Sequence, residues 1–131
     1  MSAANLVTAS IVADVHDWFS WVVIFSNALA GLWALAAHRR PSLRSIGLWV
    51  TTATAQTTVF VQAGLGTWLM VREGRDAPDL HALYGFSALV AVGIAYSYRQ
   101  QLRNHLYLLY GCTGLFLMGL GIRAVILDSV A

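Results

Sequence analysis

Lysine is absent from this chain, cysteine occurs once, proline twice, and charge of either sign is scarce: Asp, Glu, Lys and Arg together make up 11% of 131 residues. Each shortage excludes something. The single cysteine, Cys112, rules out an internal disulfide, a multi-cysteine metal site and thioether attachment of haem through a CxxCH motif. Soluble domains carry roughly 25% charged residues. This chain falls far below that and is 58% hydrophobic. So much apolar surface is more than a small soluble fold can cover, and lipid is the expected solvent. A net charge of +2, scattered along the chain, argues against nucleic acid as a partner. All the basic residues are Arg, which with abundant Ala and Gly points to a GC-rich bacterial genome and hence to a bacterial inner membrane. The residues before Asp14 carry no basic side chain, so they are not expected to form the n-region of a signal peptide.

Charged residues cut the sequence into four stretches free of Asp, Glu, Lys and Arg: Trp18–His38, Ser45–Val71, Leu80–Tyr98 and Leu106–Ile122. A helix needs about 20 residues to cross the hydrocarbon core of a bilayer. The fourth stretch reaches that length through Ala124–Leu127 if Arg123 snorkels to the headgroups. None of the stretches alternates polar and apolar residues as membrane strands do. Both prolines, Pro41 and Pro78, lie between stretches, the second where a helix can begin without an amide proton. The expected fold is an all-α membrane protein. It is an antiparallel four-transmembrane-helix bundle in one domain (1–131), with helices near 16–38, 45–71, 79–98 and 105–127. Arg39, Arg40, Arg44, Arg99 and Arg103 fall in the first and third connections, against Arg72 and Arg75 in the second, which also carries Glu73, Asp76 and Asp79. That asymmetry predicts connections one and three in the cytoplasm and both termini outside. Trp18, Trp21, Trp68 and Tyr84 then fall near the outer boundary. Trp33, Trp49, Tyr96, Tyr98, Tyr107 and Tyr110 fall toward the inner one, as interfacial aromatics should.

The two halves echo each other weakly. Aligning His16 with His81 sets Phe19 on Tyr84, Ser20 on Gly85, Trp21 on Phe86 and Trp33 on Tyr98, and a second offset aligns Thr58–Gly66 with Thr113–Gly121. Two repeated hairpins of like topology would be related by an axis along the membrane normal.

The four histidines are the residues best placed for chemistry. His16 and His81 are expected at the outer ends of odd-numbered helices, and His38 and His105 at the inner side, so each pair shares a depth. Paired imidazoles on facing helices can supply the two axial nitrogens of a haem iron. The layout, with one such pair per membrane face, resembles the two-haem b-type cytochromes of bacterial and organellar membranes. The resemblance implies haem b as cofactor and electron transfer as activity, with His16 and His81 the better ligand pair because the repeat aligns them. His16 and His38 lie 22 residues apart, about 33 Å along a helix, so all four sit at the lipid–water boundary, where imidazoles are also readily solvated.

Uncharged polar side chains form the second group. Asn27 and Gln56 fall near the bilayer midplane at similar depth and are expected to face the bundle, hydrogen-bonded to each other or to another subunit. Thr51, Thr54, Thr58 and Gln62 form a stripe on one face of the second helix, read as interhelical contact first and as an ion or ligand path second. Arg123, the one basic residue inside a span, is expected to pair with Asp17 or Asp79. Ser26, Ala30 and Ala34, then Ser87, Ala91 and Ala95, repeat every four residues, and Gly111, Gly114, Gly119 and Gly121 thin the fourth helix. Such surfaces let helix backbones approach closely.

No carboxylate lies within the apolar stretches to couple protons, no nucleophile stands beside a base, and no His/Cys/carboxylate cluster has metal-ligand spacing. With catalytic groups missing and packing surfaces abundant, the first expectation is a non-enzymatic small membrane subunit. Its partners would be the lipid bilayer and other membrane subunits or copies of itself, and it would carry no cofactor. The haem-b electron carrier is the alternative, and a small oligomeric channel or transporter the third reading.

Overall fold

The structure is a computed structural model that describes residues 2–74 and 79–130. Four α-helices account for nearly all of it: α1 (Ala3–Arg39), α2 (Ile46–Glu73), α3 (Asp79–Ser97) and α4 (Leu106–Val130). Single 3-10 turns at Pro41–Leu43 and Arg103–His105 lead into α2 and α4. α1, α3 and α4 are long and apolar enough to cross a membrane. α2 has the length, but Thr51, Thr52, Thr54, Gln56, Thr57, Thr58 and Gln62 lower its hydropathy. Several of these hydroxyls fold back on their own helix, Thr54 donating to the Val50 carbonyl at 2.8 Å and Thr57 to the Ala53 carbonyl at 2.7 Å, which satisfies the polar group without a partner helix.

α2, α3 and α4 begin and end within a few residues of the expected limits, but α1 does not. It starts at Ala3 rather than near position 16 and runs for 37 residues, about 55 Å. The Ser2 side chain accepts a hydrogen bond from the Asn5 amide at 3.2 Å, which caps the helix start. Residues 3–15 contain neither Pro nor Gly to stop it. Asp14 and Asp17, which marked a boundary by charge, sit exposed on the side of a continuous helix. At the far end of α2, Gly74 closes the helix in the left-handed region at φ 63°. Its amide bonds to the Leu69 carbonyl, a common way to end a helix. Pro78, expected at the start of α3, lies outside the described residues.

The helices run antiparallel in sequence order. α1 packs most extensively on α4 and next on α2, α3 packs on α4, and α2 and α3 meet only sparingly. α1 and α3 therefore face each other across the diagonal, with a loosely closed side between α2 and α3. Glycine explains the tight α1–α4 seam: a Cβ on Gly114 would stand 2.6 Å from the Gly31 Cα, and one on Gly111 would stand 2.6 Å from Leu35 side-chain atoms. Only bare backbone permits that approach. Ala30 and Ala34 are buried inside the chain, as are Gly111 and Gly114. The small-residue surfaces of α1 and α4 are thus largely consumed within one molecule.

Two packed layers close the interior. Val23, Val59, Val92 and Leu117, one from each helix, form a plug with Phe19, Ala88, Leu89 and Ala91 against it. Toward the His38 end, Ala34, Ala37 and Leu48 pack beneath Trp33, Trp49, Tyr107 and Tyr110. Asn27, 1% exposed, is satisfied differently from expectation. Its Nδ2 donates to the Val23 carbonyl at 2.8 Å and to the Ala55 carbonyl of α2 at 3.2 Å. The backbone oxygen of Ala55, and not the Gln56 amide, takes the interhelical bond.

Candidate functional site

At the His16 end the weak α2–α3 side opens into a cavity of about 480 Å³, above the valine and leucine plug. That size falls within the range of about 300–1,000 Å³ typical of small-molecule and cofactor sites. His16 of α1 and His81 of α3 reach into it from the diagonal helices, and their ring centroids are 6.2 Å apart with an interplanar angle of 63°. Both rings are half-buried.

Each histidine is held by a neighbouring helix. His81 Nδ1 lies 2.9 Å from the Ala124 carbonyl of α4. A carbonyl can only accept, so Nδ1 carries the proton, and in the neutral ring Nε2 keeps its lone pair for a ligand. His16 is positioned by α2. Gln62 Nε2 donates to the His16 carbonyl at 2.8 Å and to Ser20 Oγ at 2.8 Å, and Ser20 Oγ itself donates to the same carbonyl at 3.0 Å. Gly66 lets the ring lie against α2, since a Cβ there would stand 3.1 Å from His16 Cε1. Gly85, one turn beyond His81, lines the cavity, and a Cβ added to it would meet nothing within 4 Å. The slot is open where that glycine faces it.

The 6.2 Å between the ring centroids suits two quite different arrangements. Edge-to-face aromatic contact spans about 4.5–7 Å. A metal–imidazole bond is about 2 Å, so two nitrogens trans across one metal stand about 4 Å apart and their ring centroids about 6 Å. The tautomer of His81 and the adjoining cavity favour the second. No group of three or more His, Cys, Asp or Glu could hold a metal ion among the described residues. A bare zinc site, which takes four ligands, is therefore not formed there. A macrocycle that brings four equatorial donors of its own and asks only for two axial imidazoles fits the donor set.

The second histidine pair is less suited. His38 and His105 have centroids 6.4 Å apart at an interplanar angle of 37°. However, His105 is exposed, and Trp33, Trp49, Tyr107 and Tyr110 pack against Ala34, Ala37 and Leu48 at this end. The smaller cavity at this end, about 320 Å³, is lined by neither histidine. Arg44 tightens the same end, donating from Nε to the Ala37 carbonyl at 2.9 Å and from Nη2 to the His38 carbonyl at 3.2 Å, with its guanidinium 4.5 Å from the Tyr107 ring centroid. It satisfies orphan carbonyls at the α1 C-terminus.

The remaining expected site residues are dispersed. Within the threonine stripe, Thr58 is buried and lies 3.5 Å from Ser26 Oγ, and Gln62 reaches α1, but Thr54 is exposed. The stripe therefore does not line one continuous path, and the plug of Val23, Val59, Val92 and Leu117 closes the bundle across it. Arg123 does not pair with Asp17. Its guanidinium lies 5.9 Å from the Tyr84 ring centroid, and the Asp79 side chain is outside the described residues. Sequence reasoning did not single out Gly66 or the Ala124 carbonyl as supports of the histidines. Gly66 carried a signal, because the repeat pairs it with Gly121 and both line the cavity; a backbone carbonyl carries none. No family model, curated protein or solved structure matches this chain.

Proposed function

We propose that the chain is a four-helix membrane protein that binds one haem b between His16 and His81 and works as an electron carrier. The observation that carries this reading is the His81 ring, its Nδ1 proton engaged by the Ala124 carbonyl, set 6.2 Å from the His16 ring beside a cavity of about 480 Å³. Haem b held there by His16 and His81 would supply one-electron redox chemistry. Gln62, Ser20 and Gly66 fix the turn and ring of His16, Ala124 orients His81, and the valine and leucine plug forms the apolar floor of the cavity. Burial and hydrogen bonding around such a group are among the levers by which protein sets its potential.

The packing-subunit reading draws less from α1 and α4, because Gly31, Gly111 and Gly114 are used in the contact between those two helices. The channel reading requires a polar path, and the interior is closed by apolar side chains. Electron transfer is therefore the function the geometry supports best.

Protein purified in mild detergent from cells well supplied with haem tests it. The expected result is a Soret band, with sharp alpha and beta bands on dithionite reduction. Both are lost in His16→Ala and in His81→Ala and kept in His38→Ala and His105→Ala, with helical circular dichroism unchanged throughout. A colourless wild-type protein would overturn the proposal, as would a spectrum that survives both His16→Ala and His81→Ala.

A further inference from the structure

All six carboxylate side chains, Asp14, Asp17, Glu73, Asp76, Asp79 and Asp128, belong by sequence to the His16 side of the chain, whereas Arg39, Arg40, Arg44, Arg99 and Arg103 belong to the His38 side. The cationic end thus contains no anion of its own to neutralise it. Arg44 is engaged by the carbonyls that end α1. Two of the others, Arg99 and Arg103, line the cavity of about 320 Å³ together with Gln100, Trp49, Leu106 and Tyr110. It lies where α2, the α3–α4 connection and the start of α4 meet.

The cavity has a donor side and an apolar side. Arg99 is half-buried and pre-shaped: its guanidinium stacks 3.7 Å from the Tyr96 ring centroid, and Nη1 donates to the Tyr96 carbonyl at 2.9 Å. Stacking of this kind fixes the plane of the guanidinium and leaves its other N–H donors to face an acceptor. Arg103 is exposed and forms no ion pair among the described residues, and Gln100 adds amide donors. The opposite wall is Trp49 and Tyr110, edge-to-face at 5.3 Å between ring centroids, with Leu106 beside them. Two arginines over an aromatic and aliphatic wall, at the boundary of a helix bundle, match a phosphate diester whose glycerol and first methylenes lie against apolar rings.

We infer that this cavity is a binding site for the phosphate headgroup of an anionic phospholipid, read by Arg99 and Arg103. The inference rests on the membrane reading but not on the haem. The lipid supplies the missing counter-charge at the cationic end and bridges the α3–α4 connection to Trp49 of α2. A free phosphate ion shares the acceptor chemistry but lacks the acyl-glycerol portion that the Trp49 and Tyr110 wall would cover.

The test uses the full chain reconstituted in nanodiscs of phosphatidylcholine with phosphatidylglycerol. The co-purifying lipid is measured by native mass spectrometry after gentle detergent exchange. Wild type is expected to retain phosphatidylglycerol in preference to phosphatidylcholine. The double variant Arg99→Gln/Arg103→Gln is expected to lose that preference by more than about tenfold, since each arginine near a lipid surface contributes on the order of 1 kcal/mol. Arg39→Gln/Arg40→Gln, which removes the same charge elsewhere on that end, keeps it. Equal loss in both double variants would mean diffuse attraction in place of a site and would overturn the inference, as would unchanged retention in Arg99→Gln/Arg103→Gln. Displacement of the lipid by inorganic phosphate alone would assign the cavity to a free anion and overturn the lipid assignment. Flotation with pure phosphatidylcholine vesicles separates the two levels. A chain that does not float defeats the membrane reading itself, and one that floats without headgroup preference defeats only this site.

Discussion

Asn27 and Gln56 sit at neighbouring depths, yet they have separate energetics. Asn27 gives both of its observed hydrogen bonds to backbone carbonyls, one in its own helix and one in α2. Asn27→Leu removes two donated hydrogen bonds from a site only 1% exposed, while the Ala55 oxygen keeps the Thr58 hydroxyl as a partner. We expect a loss of about 1 kcal/mol, since polar contacts between helices in membranes average only about 0.6 and two bonds are lost. Gln56→Leu should be near neutral, and the double variant additive within about 0.5 kcal/mol. Denaturant unfolding in detergent by the two single variants and the pair measures this, and strong coupling would show the two amides to be partners after all. Gly66 makes the companion prediction at the candidate site. Val at position 66 must push the His16 ring aside, because even a Cβ would come within 3.1 Å of it, whereas position 64 faces open space. Haem content per protein, read from Soret absorbance, should fall sharply in Gly66→Val and stay near the wild-type value in Gly64→Val.

Among the elements, the α1–α4 pair is the structural spine. Its closeness depends on Gly31 and Gly114 meeting backbone to backbone. Gly114→Ala adds one methyl where none fits and should cost about 1–3 kcal/mol through forced separation of the helices. Gly119→Ala, whose Cβ would meet nothing within 4 Å, should be neutral or slightly stabilising because alanine favours the helix. Thermal unfolding followed by circular dichroism distinguishes them, and equal effects would mean that the close approach does not limit stability. The α2–α3 pair is the opposite case. Its sparse packing leaves the side of the bundle that opens on the cavity, so the tight seam and the slot are two outcomes of one arrangement.

For the molecule as a whole, the distribution of arginine predicts a direction of insertion. The sequence predicts that the five arginines of the first and third connections face the cytoplasm. In a Cys112→Ala background, Asp14→Cys should react with an impermeant maleimide in intact cells, and Ser42→Cys only after permeabilisation. Both positions are exposed. Gly74 would make a poorer reporter because its φ of 63° strains any side chain placed there. The reverse pattern of labelling would invert the topology, and with it the side on which the His16 cavity opens.

The amino-acid sequence alone determined that the chain is helical, and where three of the four helices lie. Those properties depend on the length of apolar runs, on the positions of charge and on two prolines, all of which are local. It also placed four histidines at two depths, because depth along a helix is only residue count times rise. The start of α1 was not legible from charge, since Asp14 and Asp17 can ride on the exposed side of a continuing helix without ending it. Only the tertiary structure decided which pair of histidines adjoins a cavity. That depends on α1 and α4 closing tightly while α2 and α3 do not, and helix-pair distances arise from backbone contacts between residues far apart in the chain. Only it decided the partner of Asn27 and the proton position on His81, because both rest on main-chain carbonyls, Ala55 and Ala124. Every residue owns such an oxygen, and no side-chain pattern reveals which one a fold will aim at a donor.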